Sequence, residues 1–77
     1  MEGLDTLVLG KVIRQARIRA GMTQEVLSGL AGIARSHLSM IETGDKQANL
    51  VTVWRIAQAL GMRPSELICL VEEYKEE

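Results

Sequence analysis

The side chains best suited to chemistry form a cluster of three consecutive polar residues, Arg35, Ser36 and His37. They open a short segment in which Leu38 and Ile41 recur at helical spacing on an apolar face. A helix that only filled a core would not need hydrogen-bond donors at its start. The pattern therefore predicts a short helix with a buried back and a polar front that binds something.

Catalytic and metal-ion chemistry are poorly supported by the same sequence. The chain has a single histidine and a single cysteine, Cys69, which we interpret as a small buried apolar residue. We find no nucleophile–base pair, no phosphate-cradling glycine loop and no metal-ligand spacing. We therefore expect no enzyme activity, no metal and no cofactor.

The composition indicates one small intracellular domain. The 77 residues are 47% apolar and 3% aromatic, and a lone cysteine forms no internal disulfide. No basic leader and no apolar run of about 20 residues is present, so a cytoplasmic protein is expected. The net charge is −1, but residues 11–46 hold six Lys and Arg against three Asp and Glu. The acidic excess lies in the tail, residues 72–77.

Apolar side chains recur at helical spacing in five segments, and the expected helices cover residues 7–20, 24–31, 35–42, 50–60 and 64–74. Thr23 and Asn49 are suited to N-caps, and Pro64 to a first helical position. In the fourth segment Leu50 is assigned to the inward stripe. Nothing alternates with period two, so the predicted fold is all-α. Each of the first four segments is followed by a glycine suited to end a helix: Gly21, Gly32, Gly44 and Gly61.

The second and third segments, joined by a turn at Gly32, have the outline of a helix-turn-helix. The stretch MTQEVLSGLAGIARSHLSMIETG resembles the DNA-binding core of phage-repressor and Cro-like regulators, the XRE family. LVTVWRIAQALGMRPSEL is similar to that family's fourth and fifth helices, so the resemblance covers about residues 9–70. It implies a single lambda-repressor-like domain of five helices over residues 1–77, with the motif at about 23–42.

The resemblance assigns base reading in the DNA major groove to the front of the third helix. In this motif the second helix of the pair enters the groove with its first residues against the base edges. Arginine suits a guanine, serine is adaptable, and an apolar group suits a thymine methyl. The implied base-reading residues are Arg35, Ser36, Ser39 and Met40.

Phosphate contacts are implied around the same surface. The start of the second helix favours an anion, and Gln24 matches the family position that meets the DNA backbone there. Arg14 or Arg19 is a further candidate. The implied phosphate-contacting residues are Thr23, Gln24, His37 and Lys46.

Three further features come from the comparison with the family. Arg17 and Glu42 match positions that form an internal ion pair in several relatives, which implies a structural role for both. Ala34 stands where Ser or Thr often caps the third helix, so this helix is expected to start less firmly. Gly29 replaces a longer polar residue and is expected to loosen the second helix.

The fifth segment is apolar around more of its circumference than one core contact needs, which predicts that a second surface packs against it. In so small a chain we expect another copy to supply that surface, giving a homodimer that binds a near-palindromic DNA sequence. The acidic ends would then lie near the dimer seam. The expected interface residues are Trp54, Leu67, Ile68, Leu70, Val71 and Tyr74.

The leading prediction is a sequence-specific transcriptional regulator of double-stranded DNA, either a small repressor or a protein like the restriction–modification controllers. No effector domain is visible, so no small-molecule ligand is expected. The alternative is a protein–protein module, such as the antitoxin of a toxin–antitoxin pair, that binds its partner through the fifth helix or the acidic tail.

Overall fold

The structure, a computed structural model, describes residues 4–75, and these form five α-helices with no strand among them. The predicted all-α fold and the order of its elements are confirmed. Most helix ends fall within one residue of the expected positions, and the last two residues of the acidic tail lie outside the described range. The helices are α1 (Thr6–Arg19), α2 (Gln24–Ala31), α3 (Arg35–Thr43), α4 (Leu50–Ala59) and α5 (Pro64–Glu73).

Side-chain caps fix three helix starts. The Thr23 hydroxyl accepts the Val26 N–H at 3.1 Å, and the Asn49 side chain accepts the Thr52 N–H at 2.8 Å, as the sequence predicted. Asp5 caps α1 in the same way, which moves its start one residue earlier than expected. Ala34, at the start of α3, makes no side-chain cap bond. The backbone N–H groups at that end of α3 therefore remain available to other acceptors.

The helices enclose one apolar core. α1 packs against α3 and α5, α2 against α3 and α4, and α4 against α5. Gly32, between α2 and α3, has a φ of 73°, a left-handed conformation in which a side chain would be strained. The turn of the motif therefore depends on this glycine. The largest fully buried side chains are Leu9, Ile13, Leu27, Leu38, Ile41, Ile56 and Leu67.

Gly10 lets α1 approach the end of α3 closely. A Cβ atom built on Gly10 would overlap the carbonyl oxygen of Ile41 and lie 2.6 Å from that of Glu42. Both are backbone atoms, so a side chain here would push the two helices apart. The close approach sets the position of α3 relative to α1.

Three expectations for individual side chains were wrong. Leu67 is fully buried in the core of the protomer, so it has no surface left for a partner. Cys69 is exposed, because two positions along a helix turn a side chain about 200° away from Leu67. Leu50, assigned to the inward stripe, is 68% exposed because it lies at the first position of α4.

No helix within residues 4–75 is long and apolar enough to cross a membrane.

Candidate nucleic-acid interface

The outer face of α3 carries the four residues that the resemblance assigned to base reading. Arg35 and Ser36 are exposed in the first turn, and Ser39 and Met40 are half-buried one turn later. Leu38 and Ile41, between them in the helical spacing, are buried. The structure therefore brings the four residues together on one face, with Thr43 continuing the row at its end.

The start of α2 lies beside this face. Thr23, Gln24, Glu25 and Arg35 line a shallow concave surface together with Arg17 and Met22. The first N–H groups of α2 point out of its N-terminal end, where a helix favours an anion. Glu25 adds a negative charge to the same rim, and Arg35 adds a positive one.

Arg17 and Glu42 form a two-pronged ion pair between α1 and α3. Arg17 Nε donates to Glu42 Oε2 at 2.7 Å, and Arg17 Nη2 donates to Glu42 Oε1 at 3.0 Å. The side chains are 12% and 2% exposed, so Glu42 is buried and Arg17 is largely covered. Hydrogen bonding to Glu42 raises the pKa of the Arg17 guanidinium. Arg17 also donates to the Met22 carbonyl at 2.9 Å, which ties the turn before α2 into the same group.

Gln24 connects this ion pair to Arg35. Its Nε2 donates to Glu42 Oε1 at 3.0 Å, and its Oε1 accepts a bond from Arg35 Nη1 at 3.3 Å. A continuous chain of hydrogen bonds therefore runs from α1 through α3 to α2 and back to the start of α3. Sequence analysis missed this connection, since it predicted only the ion pair and a phosphate contact for Gln24.

Two of the remaining predicted phosphate contacts, His37 and Lys46, belong to α3 and to the loop that follows it. His37 is half-buried in the first turn of α3. Lys46 is exposed in the loop after α3, where its backbone N–H donates to the Met40 carbonyl at 3.2 Å and holds the loop close to the helix. Arg14 and Arg19 are exposed on α1.

Residues 4–75 contain no group of three or more His, Cys, Asp and Glu side chains placed to hold a metal ion. The exposed Cys69 thiol lies beside Glu73, and the negative charge of that carboxylate raises the pKa of the thiol. A raised pKa disfavours the thiolate, which is the reactive form of cysteine.

A second exposed surface, the α4 face, is apolar and consists of Leu50, Val51 and Trp54. These side chains are 68%, 60% and 49% exposed, and they border a shallow groove with Arg55 and Gln58. Among the residues predicted for dimerisation only Trp54 belongs to this face. The sequence carried a signal for it, because positions i, i+1 and i+4 share one side of a helix.

The predicted dimer residues of α5 are less available. Ile68, Leu70, Val71 and Tyr74 are partly buried and pack against the core of the same protomer. Their wide distribution around α5 therefore serves contacts with both α1 and α4 as well as any contact with a second copy.

Two proteins with related sequences are named as a control protein and a transcriptional regulator, and each is matched over most of its length. Over 63 residues the chain is 33% identical to the control protein C.BamHI of Bacillus amyloliquefaciens, covering 80% of this chain and 78% of that protein. It is 30% identical over 66 residues to the uncharacterized HTH-type transcriptional regulator y4dJ of Sinorhizobium fredii, covering 86% of each.

A solved structure agrees with the fold over most of the chain. The crystal structure of the restriction–modification controller protein C.AhdI from Aeromonas hydrophila matches with a TM-score of 0.79 at 35% identity, covering 82% of this chain and 96% of that one. The helix-turn-helix family matches residues 13–67, a segment that contains α2, α3 and α4 entirely. The chain therefore belongs to the helix-turn-helix family, as the resemblance to XRE-type regulators predicted.

Proposed function

We propose that this helix-turn-helix regulator binds a near-palindromic DNA operator as a homodimer, with α3 in the major groove. The observation that carries the proposal is the row of Arg35, Ser36, Ser39 and Met40 on the outer face of α3, beside the capped start of α2. The groove admits one α-helix, and each base pair presents a distinct pattern of donors and acceptors there.

The roles within this interface follow from side-chain chemistry. Arg35 suits a guanine, because a guanidinium can donate two bonds to O6 and N7. Ser36 and Ser39 suit either donors or acceptors, and Met40 suits a thymine methyl. Thr23, Gln24, His37 and Lys46 are proposed to contact phosphates, which fix the register of the protein on the duplex without reading sequence.

The homodimer is supported by the α4 face. An exposed tryptophan beside two exposed aliphatic side chains is the kind of patch that marks an interaction site on a small protein. A two-fold dimer would place two copies of α3 about 34 Å apart, one turn of DNA. We therefore centre the proposed interface on the start of α4, with Ile68, Leu70, Val71 and Tyr74 at its margin.

Selection from random DNA tests the binding proposal. The protein is mixed with a random duplex library at low salt, and bound DNA is sequenced over several rounds. We expect enrichment of two half-sites with two-fold symmetry, their centres about 10 base pairs apart. A library with no enriched sequence would contradict the proposal, and a single enriched half-site would contradict its dimeric part.

Substitution of Arg35 by Ala tests the role assigned to that side chain. We expect a loss of about 1–3 kcal/mol on the selected operator and relaxed preference at one base pair in each half-site. The matched variant Lys46→Ala should weaken binding about equally on all sequences, as loss of a phosphate contact does. An equal loss on every sequence for Arg35→Ala would mean that Arg35 touches phosphate only.

A further inference from the structure

The Gln24 side chain is bonded at both ends, and this fixes which way its amide points. The Glu42 carboxylate only accepts hydrogen bonds, so Gln24 must present its NH₂ group there. Its carbonyl oxygen is thereby turned outward, where it accepts the bond from Arg35 Nη1. Glu42 itself is held by two bonds from Arg17.

The hydrogen-bond chain ends on an exposed side chain. Glu42 is buried, Arg17 and Gln24 are partly buried, and Arg35 is exposed. An exposed arginine ordinarily samples many rotamers, and ordering it on binding costs conformational entropy. One bond to Gln24 uses a single N–H of the guanidinium and leaves four for a ligand.

We infer that Gln24 is a positioning residue that holds the Arg35 guanidinium ready for a two-bond contact with guanine. This inference rests on the proposed DNA-binding function and assigns to Gln24 a role in base discrimination, beyond a phosphate contact. The orientation originates in the buried ion pair, so Arg17 and Glu42 contribute to the choice of base without touching DNA.

The two roles of Gln24 predict different effects on DNA binding. Loss of a phosphate contact weakens binding about equally on every sequence. Loss of a positioning contact weakens binding to the selected operator. It weakens binding less to a second DNA in which the guanine at the Arg35 position has been replaced. The ratio of these two affinities is therefore the decisive readout, because a general loss of folding would lower both.

The variant Gln24→Met keeps the length of the side chain and removes both polar ends. We expect it to lower the affinity ratio about threefold or more, out of the roughly 5- to 150-fold that a good two-bond contact supplies. In an Arg35→Ala background the same change should leave the ratio unaltered. The control Gln15→Met, an exposed glutamine on α1, should change neither affinity. Equal losses on both DNAs, with an unchanged ratio, would overturn the inference.

A measurement without DNA separates this inference from the proposed function. In ¹⁵N NMR of the free protein, the Arg35 side chain should be more ordered than that of the exposed Arg14, and Gln24→Met should abolish the difference. An Arg35 side chain as mobile as Arg14 in the unmodified protein would overturn the inference, whatever the DNA result. If selection enriches no sequence, the proposed function fails, and an unordered Arg35 would then exclude the positioning contact as well.

Discussion

The polar surface around α2 and α3 and the apolar α4 face differ in how the rest of the protomer supports their side chains. The polar surface around α2 and α3 is backed by a network of bonds from Arg17 and Glu42, and two of its side chains, Gln24 and Arg35, belong to that network. The α4 face of Leu50, Val51 and Trp54 is apolar, and no other part of residues 4–75 covers it. The first surface resembles a prepared binding site, and the second resembles part of a core that a second copy would complete.

Substitutions in the two surfaces should therefore have different effects on stability and on assembly. A change beneath the polar surface leaves a buried charge without its partner, which destabilises the folded protomer. A change on the α4 face removes side chains that are about half or more exposed in the protomer. The first kind of change should therefore mainly affect folding, and the second should mainly affect assembly.

The largest expected effect comes from Glu42→Ala. The substitution leaves the Arg17 guanidinium inside the protein without its carboxylate, and it removes the acceptor for Gln24. We expect the free energy of unfolding to fall by about 3–5 kcal/mol, measured by urea denaturation. The control Glu25→Ala removes an exposed carboxylate and should change it by at most about 0.5 kcal/mol. Equal effects of the two variants would show that the ion pair of Arg17 with Glu42 does not stabilise the protein.

Trp54→Gln should leave the protomer folded and weaken the dimer. An exposed aromatic side chain at the centre of an interface typically contributes about 2 kcal/mol or more, so the dimer dissociation constant should rise about 30-fold or more. Sedimentation over a range of concentrations measures it. Ile18→Ala is the control, because Ile18 is also about half exposed, at 53%, but lies on α1. A dimer unaffected by Trp54→Gln would contradict the proposal that the α4 face is the dimer interface. An unmodified protein that is monomeric at micromolar concentration would contradict it as well.

Ala34→Ser tests whether a side-chain cap at the start of α3 would stabilise the protein. The Ala34 backbone already has the extended conformation of an N-cap, with φ −68° and ψ 144°, and only the hydroxyl is missing. We expect thermal or urea denaturation to show a gain of about 1 kcal/mol. Ala34→Val, which adds a side chain without an acceptor, should bring no gain. A serine that stabilises no more than valine would mean that this helix end is already satisfied.

Gly29→Ala has the smallest expected effect and touches neither surface. A Cβ atom at Gly29 meets nothing within 4 Å, so the helix propensity of alanine should add about 0.5–1 kcal/mol of stability. The same substitution at Gly10 should destabilise, because its Cβ overlaps backbone atoms of α3. Unfolding measurements on the two variants should therefore give opposite signs. A loss of stability at Gly29 would indicate a neighbour that the structure does not contain.

The local features of the fold were predictable from the sequence. Glycines that end helices and the caps Thr23 and Asn49 act within a few residues of themselves, so the sequence contains their whole cause. The ion pair of Arg17 with Glu42 joins residues 25 positions apart and was predicted only because the family resemblance implied it. Contacts that local spacing does not determine need such outside information or the structure.

The remaining features depend on how the helices meet. An apolar stripe shows that a helix face is covered, but not whether the same chain covers it, and so Leu67 was assigned to a contact with a second copy although its own protomer buries it. The bridge from Glu42 through Gln24 to Arg35 needs α2 and α3 at a defined distance from each other, and residue types alone do not specify it. The error at Leu67 and the missed bridge therefore concern packing between helices, whereas the errors at Cys69 and Leu50 concern positions within a single helix.

An NMR titration of the ¹⁵N-labelled protein with its selected operator tests the division between the two surfaces most directly. At a protein concentration where the oligomeric state is constant, we predict signal changes at Gln24, in the first two turns of α3 and at Lys46, with residues 50–54 unaffected. Changes centred on residues 50–54, with the outer face of α3 unaffected, would contradict the account.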